Sequence, residues 1–124
     1  MVTKLSPVEA HRQRLEELRA TSVERLARLR ADYDELAEVG EDVGAGEDEG
    51  GSQGDGTFVE RDRLRALAAE ETATIEAVDA ALARAEGDDW ATCTGCGQPI
   101  GDDRLEFLPT TDVCVACKAR TSRY

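Results

Sequence analysis

Residues 90–120 read WATCTGCGQPIGDDRLEFLPTTDVCVACKAR and hold all four cysteines of the chain. The cysteines form two C-x-x-C pairs, Cys93 with Cys96 and Cys114 with Cys117, and seventeen residues separate the pairs. A gap of two residues lets two thiolates on one tight turn reach adjacent corners of a tetrahedron, at roughly 2.3 Å from a zinc ion. The glycines beside the first pair allow such a turn. The spacing therefore predicts a four-cysteine zinc-finger module.

Three other uses of four cysteines compete with zinc. A disulfide framework suits small secreted chains, but residues 1–7 lack the apolar run of a signal peptide, so we do not expect one. A thioredoxin-like redox site uses a single C-x-x-C pair, whereas this chain has two. Iron accepts the same four-sulfur tetrahedron, so the ligand set leaves iron open. Because protein thiolates fill every position, we expect a structural metal and not a catalytic one.

Composition narrows the function class. The net charge of −12 argues against a protein that binds DNA by neutralising its phosphates with Lys and Arg. No apolar run of about eighteen residues is present, so we expect no membrane span and a cytoplasmic protein. No phosphate-binding loop and no pair of base and nucleophile is recognisable, so we do not expect an enzyme. Few aromatic residues and many alanines favour a thin, helical, metal-stapled molecule.

The first helix is predicted to begin at Ser6-Pro7-Val8-Glu9. Ser6 is a good N-cap, Pro7 suits the first helical position, and Glu9 closes a capping box. We expect the helix to end at Val39-Gly40, because glycine readily adopts the left-handed conformation that follows a helix end. One apolar stripe runs along it, broken at Ser22, Arg25 and Asp32, and is formed by Val8, Leu15, Leu18, Leu26, Leu29, Tyr33 and Leu36.

A second helix is predicted over residues 58–86, with Thr57 as N-cap and Glu60 closing another capping box. Seven glycines between residues 40 and 56 predict a mobile, acidic loop before it. Two helices with one stripe each can pair as an antiparallel hairpin. We thus expect a mainly α protein with two parts: a helical hairpin arm at residues 1–87, with its tip loop near 40–56, and the zinc-finger module at 88–124. The second stripe consists of Leu64, Leu67, Ala68, Ile75, Val78, Leu82 and Ala85.

Within the finger, Trp90 is expected to pack the first cysteine pair onto the helix ends. Ile100, Leu105 and Phe107 alternate loosely, which suggests a short β-hairpin, and residues 114–120 suggest a short terminal helix. His11 is the chain's one histidine. Because four cysteines already saturate a metal, we expect His11 to be a surface or seam side chain and not a ligand.

The run C-T-G-C-G-Q-P-I, then Arg104-Leu105, then Pro109, then C-V-A-C-K resembles the zinc finger of the DksA/TraR family. The long helical hairpin before it resembles that family's coiled coil. The resemblance implies a bacterial transcription regulator that binds RNA polymerase and inserts its coiled coil into the secondary channel. It also implies Zn²⁺ on Cys93, Cys96, Cys114 and Cys117. Some members act with the alarmone ppGpp, which makes ppGpp a further partner implied by the resemblance alone.

The tip departs from the family pattern. Counting back from Cys93 places Gly50, Gln53 and Asp55 where family members carry D-x-x-D-x-A, so those aspartates are not carried over. Acidic residues nearby can replace them in charge, and these are Glu47, Asp48, Glu49 and Asp55.

Two other functions compete with polymerase binding. The chain could be a zinc-stapled structural adaptor for another protein partner. Direct DNA binding would need a basic patch, but each arginine cluster has Asp or Glu beside it. We expect a monomer with no sequence-specific contact to DNA.

Overall fold

The computed structural model describes residues 4–44 and 51–121, with the backbone alone for residues 38–44 and 51–55. The element order is α1 (Pro7–Gly44), α2 (Gly51–Arg84), α3 (Asp102–Phe107) and α4 (Val115–Thr121). The only β pairing in the described ranges is an isolated antiparallel bridge between Thr92 and Pro99. The predicted mainly α fold, with two long helices that pack together, is confirmed. No helix among the described residues is long and apolar enough to cross a membrane.

The capping box at the start of α1 is confirmed. The backbone N–H of Ser6 donates to a carboxylate oxygen of Glu9 at 2.9 Å, and the N–H of Glu9 donates to the Ser6 hydroxyl oxygen at 3.2 Å. The hydrogen bonds from Ser6 also hold the pKa of Glu9 below its usual value. Two N–H groups that a helix start leaves unpaired are thereby satisfied, and α1 begins at Pro7.

Both predicted helix ends around the tip were wrong. Helix α1 continues to Gly44 instead of stopping at Gly40, and α2 begins at Gly51, so Thr57 lies inside the helix and is not its N-cap. Once a helix is nucleated, each added residue gains one hydrogen bond, and a glycine costs only about 1 kcal/mol. The predicted loop at 40–56 is therefore partly helical. Glu47, Asp48 and Glu49 lie outside the described residues, as does the side chain of Asp55.

The chain forms two compact units, and each is described by itself. The finger unit comprises the described residues up to Ala20 together with those from Ile75 onward. In it, the start of α1 and the end of α2 run antiparallel. Arg19 pairs with Asp79 at 2.7 Å, and Arg12 donates to the carbonyl of Ala85 at 3.3 Å. A buried cluster holds the two helix segments together, made of Leu15, Val78 and Ala81 with Leu18 and Leu82 packed against it.

The middle unit comprises the described residues between Thr21 and Thr74. Its segments of α1 and α2 are also antiparallel, because Arg25 faces Glu71 at 3.9 Å while Tyr33 contacts Arg61 and Arg65. Buried side chains here include Ser22, Leu26 and Leu64. Ser22, one of the residues that interrupt the apolar stripe of α1, therefore occupies a core position of this unit.

The finger also departs from prediction in one segment. Residues 102–107 form the helix α3 and not half of a β-hairpin. Asp102 and Asp103 occupy the first turn of α3, where the helix dipole favours acidic side chains. Leu105 points into the finger core at 2 % exposure, whereas Phe107 is 84 % exposed. The terminal helix is confirmed as α4. The division at residue 87 stays a prediction.

Candidate metal centre

The fold brings the four cysteines together. Their Sγ atoms all lie within 4.8 Å of one another, although the two pairs are far apart in sequence. This is the spacing that a single metal ion needs in order to bind every sulfur. Cys93 and Cys117 are buried, Cys114 is half-buried, and Cys96 is exposed.

The first cysteine pair lies on a tight turn beside the Thr92–Pro99 bridge. The N–H of Cys93 donates to the carbonyl of Gln98 at 2.8 Å, and the N–H of Gly97 donates to the carbonyl of Cys93 at 2.9 Å. Gly97 has a φ of 78°, which L-residues with a side chain adopt only at a cost. The turn thus orients both thiols of the first pair toward the second.

The second pair lies at the start of α4. Cys114 precedes the helix, and its backbone carbonyl accepts a hydrogen bond from the N–H of Lys118 at 2.9 Å, while Cys117 lies within the helix. The N–H of Thr94 donates to the carbonyl of Asp112 at 2.9 Å, which ties the segment before α4 to the first turn. Backbone contacts therefore hold the two halves of the centre in register.

Hydrogen-bond donors surround the sulfur atoms. The N–H groups of Cys114 and Gly95 each donate to the Sγ of Cys93 at 3.3 Å. With further hydrogen bonds from the backbone of Cys96 and the thiol of Cys117, they lower the pKa of the Cys93 thiol to about 6. A guanidinium nitrogen of Arg120 lies 3.1 Å from the Sγ of Cys117. Such donors stabilise sulfur in its anionic form, which is the form that binds a metal.

Without a metal, the four thiols do not ionise together. A hydrogen bond to the sulfur of Cys93, together with burial, raises the pKa of Cys117 to about 12. A thiol with this pKa is protonated at neutral pH, and four adjacent thiolates without a cation would repel one another. Metal binding must therefore release protons from the cluster.

The donor set fits zinc. Four thiolates in one cluster form the ligand set of closed structural zinc sites, which leave no position for water or substrate. Gly95 shows that the cluster is closely built, since a Cβ at this position would lie 3.0 Å from the Sγ of Cys117 and 3.6 Å from that of Cys93. Only glycine fits there without displacing a sulfur. When bound, structural zinc cross-links the first turn to the start of α4.

An apolar core and half-buried arginine contacts support the centre. Cys93 and Cys117 share their core with Ile100 and Leu105, and Trp90, Ala91, Val113 and Cys114 pack against it. The Nε of Arg104 donates to the carbonyl of Val113 at 2.8 Å, and Arg84 at the end of α2 donates to the carbonyl of Thr110 at 3.2 Å. The loop before the second pair is therefore fixed from both α2 and α3.

Trp90 packs where the sequence predicted. Its ring stacks on His11 of α1, with the centroids 4.7 Å apart and the planes inclined by 30°. His11 is only 2 % exposed, so of the two predicted locations the seam is right and the surface is wrong. Burial, and then the charges of Arg14 and Arg84, lower the pKa of His11. The Nδ1 atom of this ring has no hydrogen-bond partner among the described residues.

The sequence reasoning gave no role to Arg120, and it named Arg104 only as part of the resemblance to a known finger. It expected Gly95 to allow the turn, but not the close approach of Gly95 to the sulfur atoms of Cys93 and Cys117. Arg120 could have been found, because it follows Cys117 by three residues on a predicted helix and must share its face. The contact between Arg104 and Val113 depends on α3, which was expected to be a strand.

Comparison with known proteins agrees with this geometry. The sequence profile of the prokaryotic dksA/traR C4-type zinc finger matches residues 89–123, the segment that contains all four cysteines. Residues 89–123 are a zinc finger of the DksA/TraR type. The predicted resemblance is thereby confirmed, and so is structural zinc as the cofactor.

Two curated relatives match more of the chain than this finger of the DksA/TraR type. The RNA polymerase-binding transcription factor DksA of Haemophilus influenzae is 40% identical over 58 residues, which cover 47% of this chain and 35% of the relative. The factor of the same name from Escherichia coli K12 is also 40% identical over 58 residues, with 34% of it covered. The chain thus matches about a third of the length of these curated relatives.

A solved structure matches a larger part of the chain than the curated relatives do. Transcription factor DksA2 from Pseudomonas aeruginosa matches with a TM-score of 0.55 and 25% sequence identity. The match covers 91% of this chain and 84% of the solved one. The similarity therefore includes the long helices as well as the finger.

Proposed function

We propose that this protein is a transcription regulator that binds bacterial RNA polymerase directly and places its helical hairpin in the secondary channel. The observation that carries the proposal is the finger of DksA/TraR type within a fold that matches DksA2 over 91% of the chain. The curated relatives are named as RNA polymerase-binding transcription factors, which supports polymerase as the partner class. The protein would act in the cytoplasm, as a monomer, and without catalysing a reaction.

The charge distribution supports docking on a protein rather than on DNA. The net charge is −12, and several arginines of the two long helices are paired with carboxylates. Arg19 lies 2.7 Å from Asp79, and Arg63 lies 3.1 Å from Glu60. Paired guanidinium groups have less free charge to offer phosphates, and an acidic surface repels them.

The proposal assigns a role to two sets of residues. The zinc ligands are Cys93, Cys96, Cys114 and Cys117, which stabilise the finger. The acidic tip residues would perturb the surroundings of the polymerase's catalytic Mg²⁺ and shift open-complex stability, and these are Glu47, Asp48, Glu49 and Asp55. Replacing the four tip residues with alanine should abolish the effect on transcription while leaving polymerase binding intact. If the quadruple variant still alters transcription fully, the acidic tip has no such role.

The docking mode is tested with a photo-crosslinker at Ser52. Zinc-loaded protein should bind bacterial RNA polymerase, and the probe should crosslink to its catalytic subunit. A known secondary-channel factor should compete the crosslink away. A matched probe at the exposed Phe107 of the finger should not reach the catalytic subunit's active-site region. Absence of binding by the zinc-loaded protein would refute the proposal.

A structural adaptor is the second candidate. Three large apolar side chains of the finger are exposed, which suits docking to some protein: Phe107, Leu108 and Val115. The same purified protein, analysed by sedimentation and by pull-down, separates the two functions. A dimer that does not bind polymerase would favour the adaptor. A monomer that pulls down polymerase would exclude it.

A further inference from the structure

Tyr33 of α1 has an unusual environment in the middle unit. Two arginines of α2 reach its hydroxyl oxygen, Arg65 at 2.7 Å and Arg61 at 3.5 Å. Their guanidinium carbons also lie 5.5 and 5.3 Å from the centroid of the tyrosine ring. Two cations therefore converge on one neutral phenol.

The donors at this site exceed what the phenol can accept. A tyrosine oxygen carries one proton of its own and accepts few hydrogen bonds. Arg61 keeps a further donor, its buried Nε, without a partner among the described residues. The hydrogen bonds from Arg65 and then Arg61 lower the pKa of Tyr33, because two cations stabilise negative charge on this oxygen. The arrangement is better suited to an oxyanion than to a hydroxyl.

The surrounding charges leave the site positive. A groove of about 370 Å³ beside Tyr33 is lined by Arg30, Asp34 and Arg65, over a floor of Leu29, Leu64 and Ala68. Asp62 lies 3.7 Å from Arg65. In this part of the unit, the guanidinium groups of Arg30, Arg61 and Arg65 outnumber the carboxylates of Asp34 and Asp62. The side chain of Arg65 is 65% exposed, so it can withdraw to admit a larger group.

We propose that Tyr33 is a phosphorylation site, and that Arg61 and Arg65 receive the phosphate. A protein kinase would supply a nucleoside triphosphate as co-substrate. The tyrosine oxygen attacks the γ-phosphorus, the bond from that phosphorus to the β–γ bridging oxygen breaks, and the nucleoside diphosphate leaves. The phenolic proton passes to the base of the kinase.

Phosphorylation would strengthen the contact between the two helices of the middle unit. A phosphate adds a charge of about −1.5 to −2 at pH 7 and three acceptor oxygens. These oxygens can accept from both arginines, including the unpartnered Nε of Arg61, and charge-assisted hydrogen bonds of this kind are the strong ones. The inference does not depend on polymerase binding, since it concerns contacts within this chain alone.

The receptor is tested by installing phosphotyrosine at position 33 during translation. Phosphorus NMR across a pH series should give a second phosphate pKa about one unit below the usual value of roughly 6. The same phosphoprotein carrying Arg61→Gln and Arg65→Gln should return to the usual value. A broad-specificity phosphatase should act about tenfold more slowly on the form with both arginines. Equal pKa values and equal rates in the two proteins would overturn the proposal.

Access is tested separately on the folded, unmodified protein. A broad-specificity tyrosine kinase with ATP is added, and the position of the phosphate is read by mass spectrometry. Tyr124, the one other tyrosine in the sequence, serves as the internal reference. We expect phosphate on Tyr33. Phosphate on Tyr124 alone would show that the folded protein does not present Tyr33, and the proposal would fail.

Discussion

The finger unit and the middle unit are stabilised in different ways. In the finger unit, the helix segments meet through the apolar cluster around Leu15 and Val78, and the loops meet through four sulfur atoms. In the middle unit, several contacts between α1 and α2 are polar: Arg25 with Glu71, and Tyr33 with Arg61 and Arg65. Leu26 and Leu64 add apolar burial there, but Ser22 takes a core position.

This difference predicts how each unit responds to change. Metal removal and cavity formation should act mainly on the finger unit, because its contacts are buried and closely packed. Exposed ion pairs contribute little each, so the middle unit should tolerate single substitutions better. The following tests run from the largest expected effect to the smallest.

Loss of zinc should affect the finger unit most. Apparent binding free energies at structural zinc sites are about 10–16 kcal/mol in isolated fingers, and this energy is folding energy. Chelation, or Cys117→Ser, should shift the fluorescence of Trp90 and lower the melting temperature followed by circular dichroism. Adding zinc back to the chelated wild type should reverse both changes. A melt unaffected by metal removal would show that the finger does not depend on the ion.

A cavity at Leu15 should be the most harmful apolar truncation. Leu15 is fully buried, and Leu→Ala at such sites costs about 2–5 kcal/mol. Leu64 of the middle unit is 4% exposed and lines an open groove, so Leu64→Ala should fall at the low end of that range. Val23→Ala, at an exposed position of α1, should change the free energy of unfolding by less than about 0.5 kcal/mol. Urea unfolding of the three variants gives their free energies of unfolding. Equal decreases for Leu15→Ala and Leu64→Ala would contradict the expected difference between the two units.

Gly95→Ala should weaken zinc binding. The new Cβ would lie 3.0 Å from the Sγ of Cys117, so the sulfur must move from its place in the cluster. We expect a cost of about 1–3 kcal/mol, typical of overpacking, measured as a loss of zinc affinity by competition with a chelator. Gly87→Ala is the matched control, because its Cβ would meet nothing closer than the Arg84 carbonyl at 3.7 Å. Unchanged affinity in Gly95→Ala would mean that the turn relaxes freely.

Acid should weaken the seam between His11 and Trp90. The pKa of His11 is lowered in the folded protein, so the unfolded chain binds the proton more readily. The contribution of neutral His11 is complete above about 6.5, the ordinary histidine pKa, and is lost as pH falls through the lower folded value. His11→Phe keeps an aromatic ring without the proton. Urea midpoints at pH 7.5 and 5.5 should drop further in the wild type than in His11→Phe, while acid release of zinc affects both proteins alike.

Gly56→Ala should stabilise the middle unit slightly. Gly56 lies inside α2, and a Cβ there meets nothing within 4 Å. Alanine is favoured over glycine in a helix interior by about 0.5–1 kcal/mol. Helix content by circular dichroism should rise, along with the melting temperature. A decrease would indicate that this position is not helical in solution.

The sequence allowed prediction of the features that depend on residues close together in the chain. The cysteine spacing predicted the metal centre, and the capping box at Ser6 predicted the start of α1, because both depend on residues a few positions apart. The ends of the helices near the tip were missed, since glycine frequency was taken to outweigh helix propagation. The segment 102–107 was missed because an irregular apolar pattern was interpreted as strand alternation. Contacts such as Arg120 with Cys117 or Tyr33 with Arg65 require knowing which helix faces coincide.

The position of Tyr33 also restricts how this part of the chain can change in length during evolution. Tyr33 follows Leu26 by seven residues, which is close to two helical turns, so both side chains lie on one face of α1. Inserting one residue between them would rotate the tyrosine by roughly 100° away from Arg61 and Arg65. Inserting seven would restore its direction. We therefore expect insertions and deletions in this segment to occur in sevens, with equal changes in the facing part of α2.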